Sequence, residues 1–237
     1  MGSTSIEFPK PVISRRAQPV STVEQSRPVV CIKGQFPFRA LSAPANAEQA
    51  DDGPARALRR VLAGGSGVPN QPQHGWRRLS ASASTVEFGH GDPPVLDSYV
   101  VVHSDNGQWS YEQSGGACIV RPFVSGGIAA SWKLDPAAIP PAASSTSLQV
   151  MVIDSQCAGG RSTDHRLNEP RVRVLPDAII ITFIADQLDG WQTCPSHLPA
   201  HRTVQLPERL GDRQLLDGAT VPAQPPCLRI GVYDCAR

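Results

Sequence analysis

The sequence predicts an all-β protein: an antiparallel β-sandwich behind a disordered N-terminal tail. Three observations lead there. Proline accounts for 23 of 237 residues, roughly double the average, and proline breaks helix interiors. Charged residues make up only 18% of the chain, below the roughly 25% of an ordinary globular domain. From residue 76 onward, short apolar or alternating runs follow one another, separated by Gly, Pro, Asn and Asp clusters. That is the rhythm of a sandwich or barrel.

In chain order, residues 1–75 are rich in Pro, Ser, Gln and Arg and read as a disordered or weakly helical leader. They contain one helical candidate. Asp52 is its cap, Ala55, Leu58, Val61 and Leu62 form its apolar stripe, and Gly64 and Gly65 stop it. An isolated helix this short is marginal in water. GGSGVPNQPQ, after it, has the composition of a flexible linker. The domain proper is expected over 76–237. LDSYVVVHS (96–104) and QWSYEQS (108–114) flank Asp105-Asn106-Gly107, which suits a tight hairpin turn because Asn and Gly tolerate positive φ. GACIVRPFV (116–124) alternates, and SWKLDP (131–136) stops at a proline with Trp132 directed to the core. SLQVMVID (147–154) places Leu148, Val150 and Val152 on one face, and PRVRVLP (170–176) does the same with Val172 and Val174. DAIIITFIAD (177–186) is nearly continuous and β-branched, as a central strand is. RTVQLP, RQLLDG and CLRIGVYD complete the set.

A net charge of +1 supplies no electrostatic reason to bind nucleic acid or an anionic membrane. No run approaches the ~18 apolar residues of a membrane-spanning helix. The basic N-terminal residues are not followed by the apolar stretch of a standard signal peptide.

The chain has six cysteines, Cys31, Cys118, Cys157, Cys194, Cys227 and Cys235. An even number in a β domain suits an oxidising compartment and leaves the connectivity open. Cys157 and Cys194 both follow core-like strands and could meet at one end of the domain. A bridge between them would close a loop of about 37 residues, worth about 3–4 kcal/mol by chain entropy. Cys227 and Cys235 cannot pair across one extended strand, since eight steps of about 3.3 Å exceed the roughly 6 Å Cα reach of a disulfide.

CPSHLPAH (194–201) carries Cys194, His197 and His201 as C-x2-H-x3-H. Its metal reading needs a further ligand, for which Cys157, His165 and Asp164 of CAGGRSTDHR are candidates. Pro195 and Pro199 exclude a helix presenting both histidines on one face. A serine-hydrolase reading can be assembled from Ser155 or Ser162, His165, and Asp154 or Asp164, but without a G-x-S-x-G elbow. In LGDRQLLDG, Arg213 either grips a carboxylate or sugar hydroxyl or belongs to a tight turn shaped by Gly211 and Gly218. Trp109 and Tyr111, two apart on one strand, form either an aromatic platform for a sugar or peptide or a cover for one sheet face.

The ordered series GGACIVRP, ASWKLDP, LQVMVIDSQCAGGRSTDHR, DAIIITFIA and QTCPSHLPAHRTVQLPERLGDRQLLDG resembles uncharacterised secreted or lipoprotein-like domains of actinobacteria and related bacteria. Those show G-x-C, W-x-LDP, C-A-S-G-R-S, T-C-P-x-N-P-P and LPEPLGDRxLLDG in the same order. The resemblance covers about residues 109–218. It implies an extracytoplasmic compartment and a Cys157–Cys194 pair, and it brings no established activity. His197-Leu198-Pro199 stands where that group has Asn-Pro-Pro, and His201 where it has no histidine, so a metal site is not inherited from the pattern. The expectation is therefore a non-catalytic extracytoplasmic binding or envelope-associated module of unknown ligand, without a cofactor. A loop-based hydrolase, metal-dependent or serine-type, is the alternative.

Overall fold

The structure is a computed structural model, and it describes residues 25–31, 34–65, 71–154, 158–190, 193 and 198–226. The all-β antiparallel class holds. The strands are β1 (Pro28–Val30), β2 (Gln35–Pro37), β3 (Trp76–Ala81), β4 (Thr85–His90), β5 (Val95–Leu96), β6 (Ser98–Asp105), β7 (Gln108–Gly115), β8 (Cys118–Ile119), β9 (Arg121–Pro122), β10 (Gly127–Leu134), β11 (Ser147–Ile153), β12 (Arg171–Val174), β13 (Ala178–Asp186), β14 (Ala200–Gln205) and β15 (Gln214–Asp217). An α-helix, α1 (Gly53–Arg60), accompanies them among the described residues. Among the described residues, no helix is long and apolar enough to cross a membrane.

The first half is layered. Strands β3-β4-β6-β7 form an antiparallel sheet. β4 is buried on both faces because it lies in the middle layer. Val86 and Phe88 point with Trp76, Val100 and Val102 toward α1, and meet Ala57, Leu58, Val61 and Leu62. On the opposite side, Leu79 packs with Val29 of β1, Phe36 of β2, Leu96 of β5, Leu41 and Val120, residues in or beside the small sheets β2-β1-β9 and β5-β8. The β6–β7 hairpin turns as expected, with Asn106 at φ 48° and Gly107 at φ 81°. Asp105 pairs with Gln108 across it, the geometry of a two-residue turn with positive φ at both centres.

The second half is a six-stranded sheet in the order β12-β13-β10-β11-β14, with β15 added beside β13. Its inward-facing residues, among them Trp132, Val150, Val152, Ile179, Ile181, Phe183 and Val204, make a core of their own. Of the strand pairs described, β13–β15 is parallel.

The expected boundary at residue 75 is corrected for much of the leader. β1 is the middle strand of its sheet, and Val29, Phe36, Leu41, Leu58 and Val61 are buried. The helical candidate is real: the Ala55 amide donates to Asp52 Oδ1 at 2.9 Å, and Gly64 turns the chain at φ 84°. It persists because its apolar stripe lies on a sheet, the tertiary support that a short helix lacks alone. Residues 1–24, the 66–70 portion of the expected linker and the CLRIGVYD segment lie outside the described residues.

Candidate functional site

A group of buried and half-buried ionisable side chains sits where the sheets diverge. β10 pairs with the end of β13 through Gly127–Ala130 and then with β11 through Ser131–Leu134. β15 occupies the stretch of β13 from Ala178 to Ile181. Asp217, the last residue of β15, lies at this fork. The Ala219 amide donates to its Oδ1 at 2.9 Å and the Trp132 amide to its Oδ2 at 3.3 Å. The Ile181 carbonyl takes two donors, Trp132 Nε1 and the Gly218 amide, each at 2.9 Å. A side chain at residue 218 would strike Thr182 Oγ1, so only glycine lets β15 approach β13 this closely.

Charge is layered around the fork. Arg121 of β9 donates from Nη1 to the Ala129 carbonyl at 3.1 Å and feels both Asp217 and Asp154. Asp154, just past β11 and fully buried, is paired with Arg166. Arg166 also donates from Nη1 to the Asp186 carbonyl at 2.8 Å. Burial pushes the Asp217 carboxyl up from its ordinary 3.8 to about 7, against the pull of the Ala219 and Trp132 amides, Arg121 and Ser131. Burial likewise lowers Arg121, opposed by Asp217 and Asp154. For each group, desolvation outweighs the attraction between them. The alternating series Arg166, Asp154, Arg121, Asp217 ties strand ends together and turns its carboxylates inward.

The residues singled out in the sequence fall in several places. Cys157, Cys194, His197 and Ser155 lie outside the described residues, as do Cys227 and Cys235. His201 is on the outer face of β14, where its Nδ1 meets Asp135 Oδ2 at 2.8 Å. That contact and the Ala137 amide hold the Asp135 carboxyl below its ordinary range, the Ala137 hydrogen bond contributing most. The next residue, Arg202, projects from the opposite face and pairs with Asp164, which precedes the exposed His165 in a short 3-10 turn. The strand therefore separates His201 from the turn that carries His165. Ser162 caps that turn, accepting from the Asp164 amide at 3.1 Å. Three described members of the hydrolase combinations are engaged with neighbours: Asp154 with Arg166, Asp164 with Arg202, and Ser162 with the Asp164 amide.

Arg213 folds back on its turn. It donates to the Arg209 carbonyl at 2.9 Å and the Leu175 carbonyl at 3.1 Å, and it pairs with Glu208 at 2.8 Å. Gly211 provides φ 63° beside it. Trp109 packs against the helix-side core and its carbonyl accepts from Arg60. Tyr111 remains 39% exposed, with its hydroxyl 3.1 Å from Ser114 Oγ. Among the described residues, the most exposed large apolar side chains are Ile139, 93% exposed, and Leu198, 80% exposed.

Sequence reading missed one covalent feature. Cys31 and Cys118 form a disulfide with Cα atoms 5.7 Å apart. The alternating pattern around Cys118 marked a strand, but nothing near Cys31 marked its partner. No family model matches the chain, and neither a curated protein nor a solved structure matches it.

Proposed function

We propose that the chain is a non-catalytic, extracytoplasmic binding or envelope-associated module that works without a cofactor. The observation that supports this most is the Cys31–Cys118 disulfide, a bond that persists in oxidising compartments. The pairing of Asp154 and Asp164 with neighbouring arginines, and of Asp217 with two amides, adds to it. A catalytic acid or base is held free to meet substrate, whereas these groups hold the fold. Ile139 and Leu198, both on proline-bordered loops, are the side chains best placed to enter an apolar pocket of a partner. The likeness to secreted and lipoprotein-like actinobacterial domains points the same way.

The test is co-sedimentation of the purified chain with a bacterial cell-envelope fraction, run beside a panel of ester, amide and glycoside substrates. The expected result is co-sedimentation that falls about tenfold, or roughly 1.4 kcal/mol, in Ile139→Ser/Leu198→Ser, with no turnover. Turnover abolished by His165→Ala or His201→Ala would replace this reading with the hydrolase.

A further inference from the structure

Glu87 is a charged residue inside the middle layer. It lies on β4 and is 2% exposed. Its Oε1 accepts from the Gly34 amide at 2.7 Å, and its Oε2 is buried without a hydrogen-bond partner among the described residues. Gly34 directly precedes β2, so one carboxylate oxygen is satisfied only while the β1–β2 hairpin stays in place. That hairpin inserts Val29 and Phe36 over Leu79, Leu96 and Val120. A disulfide, Cys31 to Cys118, crosses from it to the layer below. Cys31 follows β1 immediately, and Cys118 lies opposite Leu96 in the β5–β8 pair. The apolar contacts favour closure. A buried, half-satisfied carboxylate opposes it, because an opened hairpin returns Glu87 to water.

We propose that Cys31–Cys118 is a redox-operated clasp: oxidised, it holds the β1–β2 hairpin over Glu87 and the Leu79–Leu96–Val120 floor, and reduced, it lets the hairpin open while the remaining sheets stay folded. A dithiol reductant supplies two electrons and two protons. The S–S bond breaks to give the Cys31 and Cys118 thiols, and the reductant leaves as its own disulfide. An oxidising compartment keeps the clasp shut until such a reductant is met. The clasp goes beyond the binding-module reading and does not depend on its ligand, so its failure leaves that reading standing.

Amide hydrogen exchange on the full chain tests it, oxidised and then treated with dithiothreitol. The amides of Gly34, Phe38 and Phe123, bonded in the closed state to Glu87 and to the carbonyls of Arg27 and Pro28, are expected to exchange about tenfold faster or more after reduction. The amides of Val150 and Ile181 in the six-stranded sheet are expected to keep their rates. Cys31→Ser/Cys118→Ser separates this bridge from the other cysteines and is expected to behave, untreated, like the reduced chain. In the reduced chain, Glu87→Gln is expected to restore part of the lost protection. Unchanged exchange at the hairpin, an equal rise in the six-stranded sheet, or no effect of Glu87→Gln would overturn the clasp.

Discussion

Asp217 accepts hydrogen bonds from two amides and has a guanidinium nearby, yet burial leaves its carboxyl at about 7 rather than 3.8. A folded-state value above the unfolded one has a definite sign. The contribution of Asp217 to stability is complete below pH 3.8 and is lost as pH rises toward about 7, because the unfolded chain ionises first. The loss is on the order of 4 kcal/mol. Denaturant titrations between pH 4 and 8 are expected to show this slope, and Asp217→Asn to flatten it. Asp52 and Asp135 have the opposite sign. In Asp52, burial is outweighed by the Ala55 amide and Arg78, and in Asp135 the Ala137 amide and His201 dominate. Their contributions are lost on acidification and are small because solvent screens them. At the neighbouring position, Gly218→Ala places a methyl against Thr182. Thermal unfolding is expected to show a loss of about 1–3 kcal/mol. The sequence told these two residues apart poorly. Arg213 could be read as a turn residue because Gly211 stands two places before it, but in LLDG nothing distinguishes a buried fork from an ordinary Asp-Gly turn. The burial of Asp217 is set by Trp132 and Arg121, far away along the chain.

At the scale of elements, the helix was legible and its surroundings were not. Its cap, stripe and glycine stop are local signals, and all three appear in the structure. Asp52 also pairs with Arg78 at 2.6 Å, so it fastens α1 to β3 as well as capping it. Asp52→Ala is expected to cost about 1–2 kcal/mol in denaturant unfolding, and Asp52→Asn, which keeps the cap, less. The β6–β7 turn and the strands around Val150 and Ile181 were legible for the same reason, since alternation and turn residues are short-range. β1 and β2 were not. Each is three residues long in a proline-rich setting, and β1 pairs with β9 about ninety positions later. A strand that exists only through distant partners leaves no period to read. The platform reading of Trp109 and Tyr111 depended in turn on whether a helix covered that face, and α1 does cover Trp109.

For the whole molecule, the decisive contact is covalent. The Cys31–Cys118 bridge spans a sequence separation of 87, and chain entropy makes such a loop worth about 4–5 kcal/mol. It binds the segment expected to be a leader to the layer beneath it, and it is the strongest support for an oxidising compartment. Cys31 and Cys118 could not be paired from sequence because a cysteine count fixes no connectivity. The measurement that tests this most directly is non-reducing peptide mapping of the chain recovered from its own cells, with free thiols alkylated at lysis. The expected result is a Cys31 peptide linked to a Cys118 peptide and separated by reduction. Recovery of both cysteines as alkylated free thiols would contradict the oxidising compartment and, with it, the extracytoplasmic module.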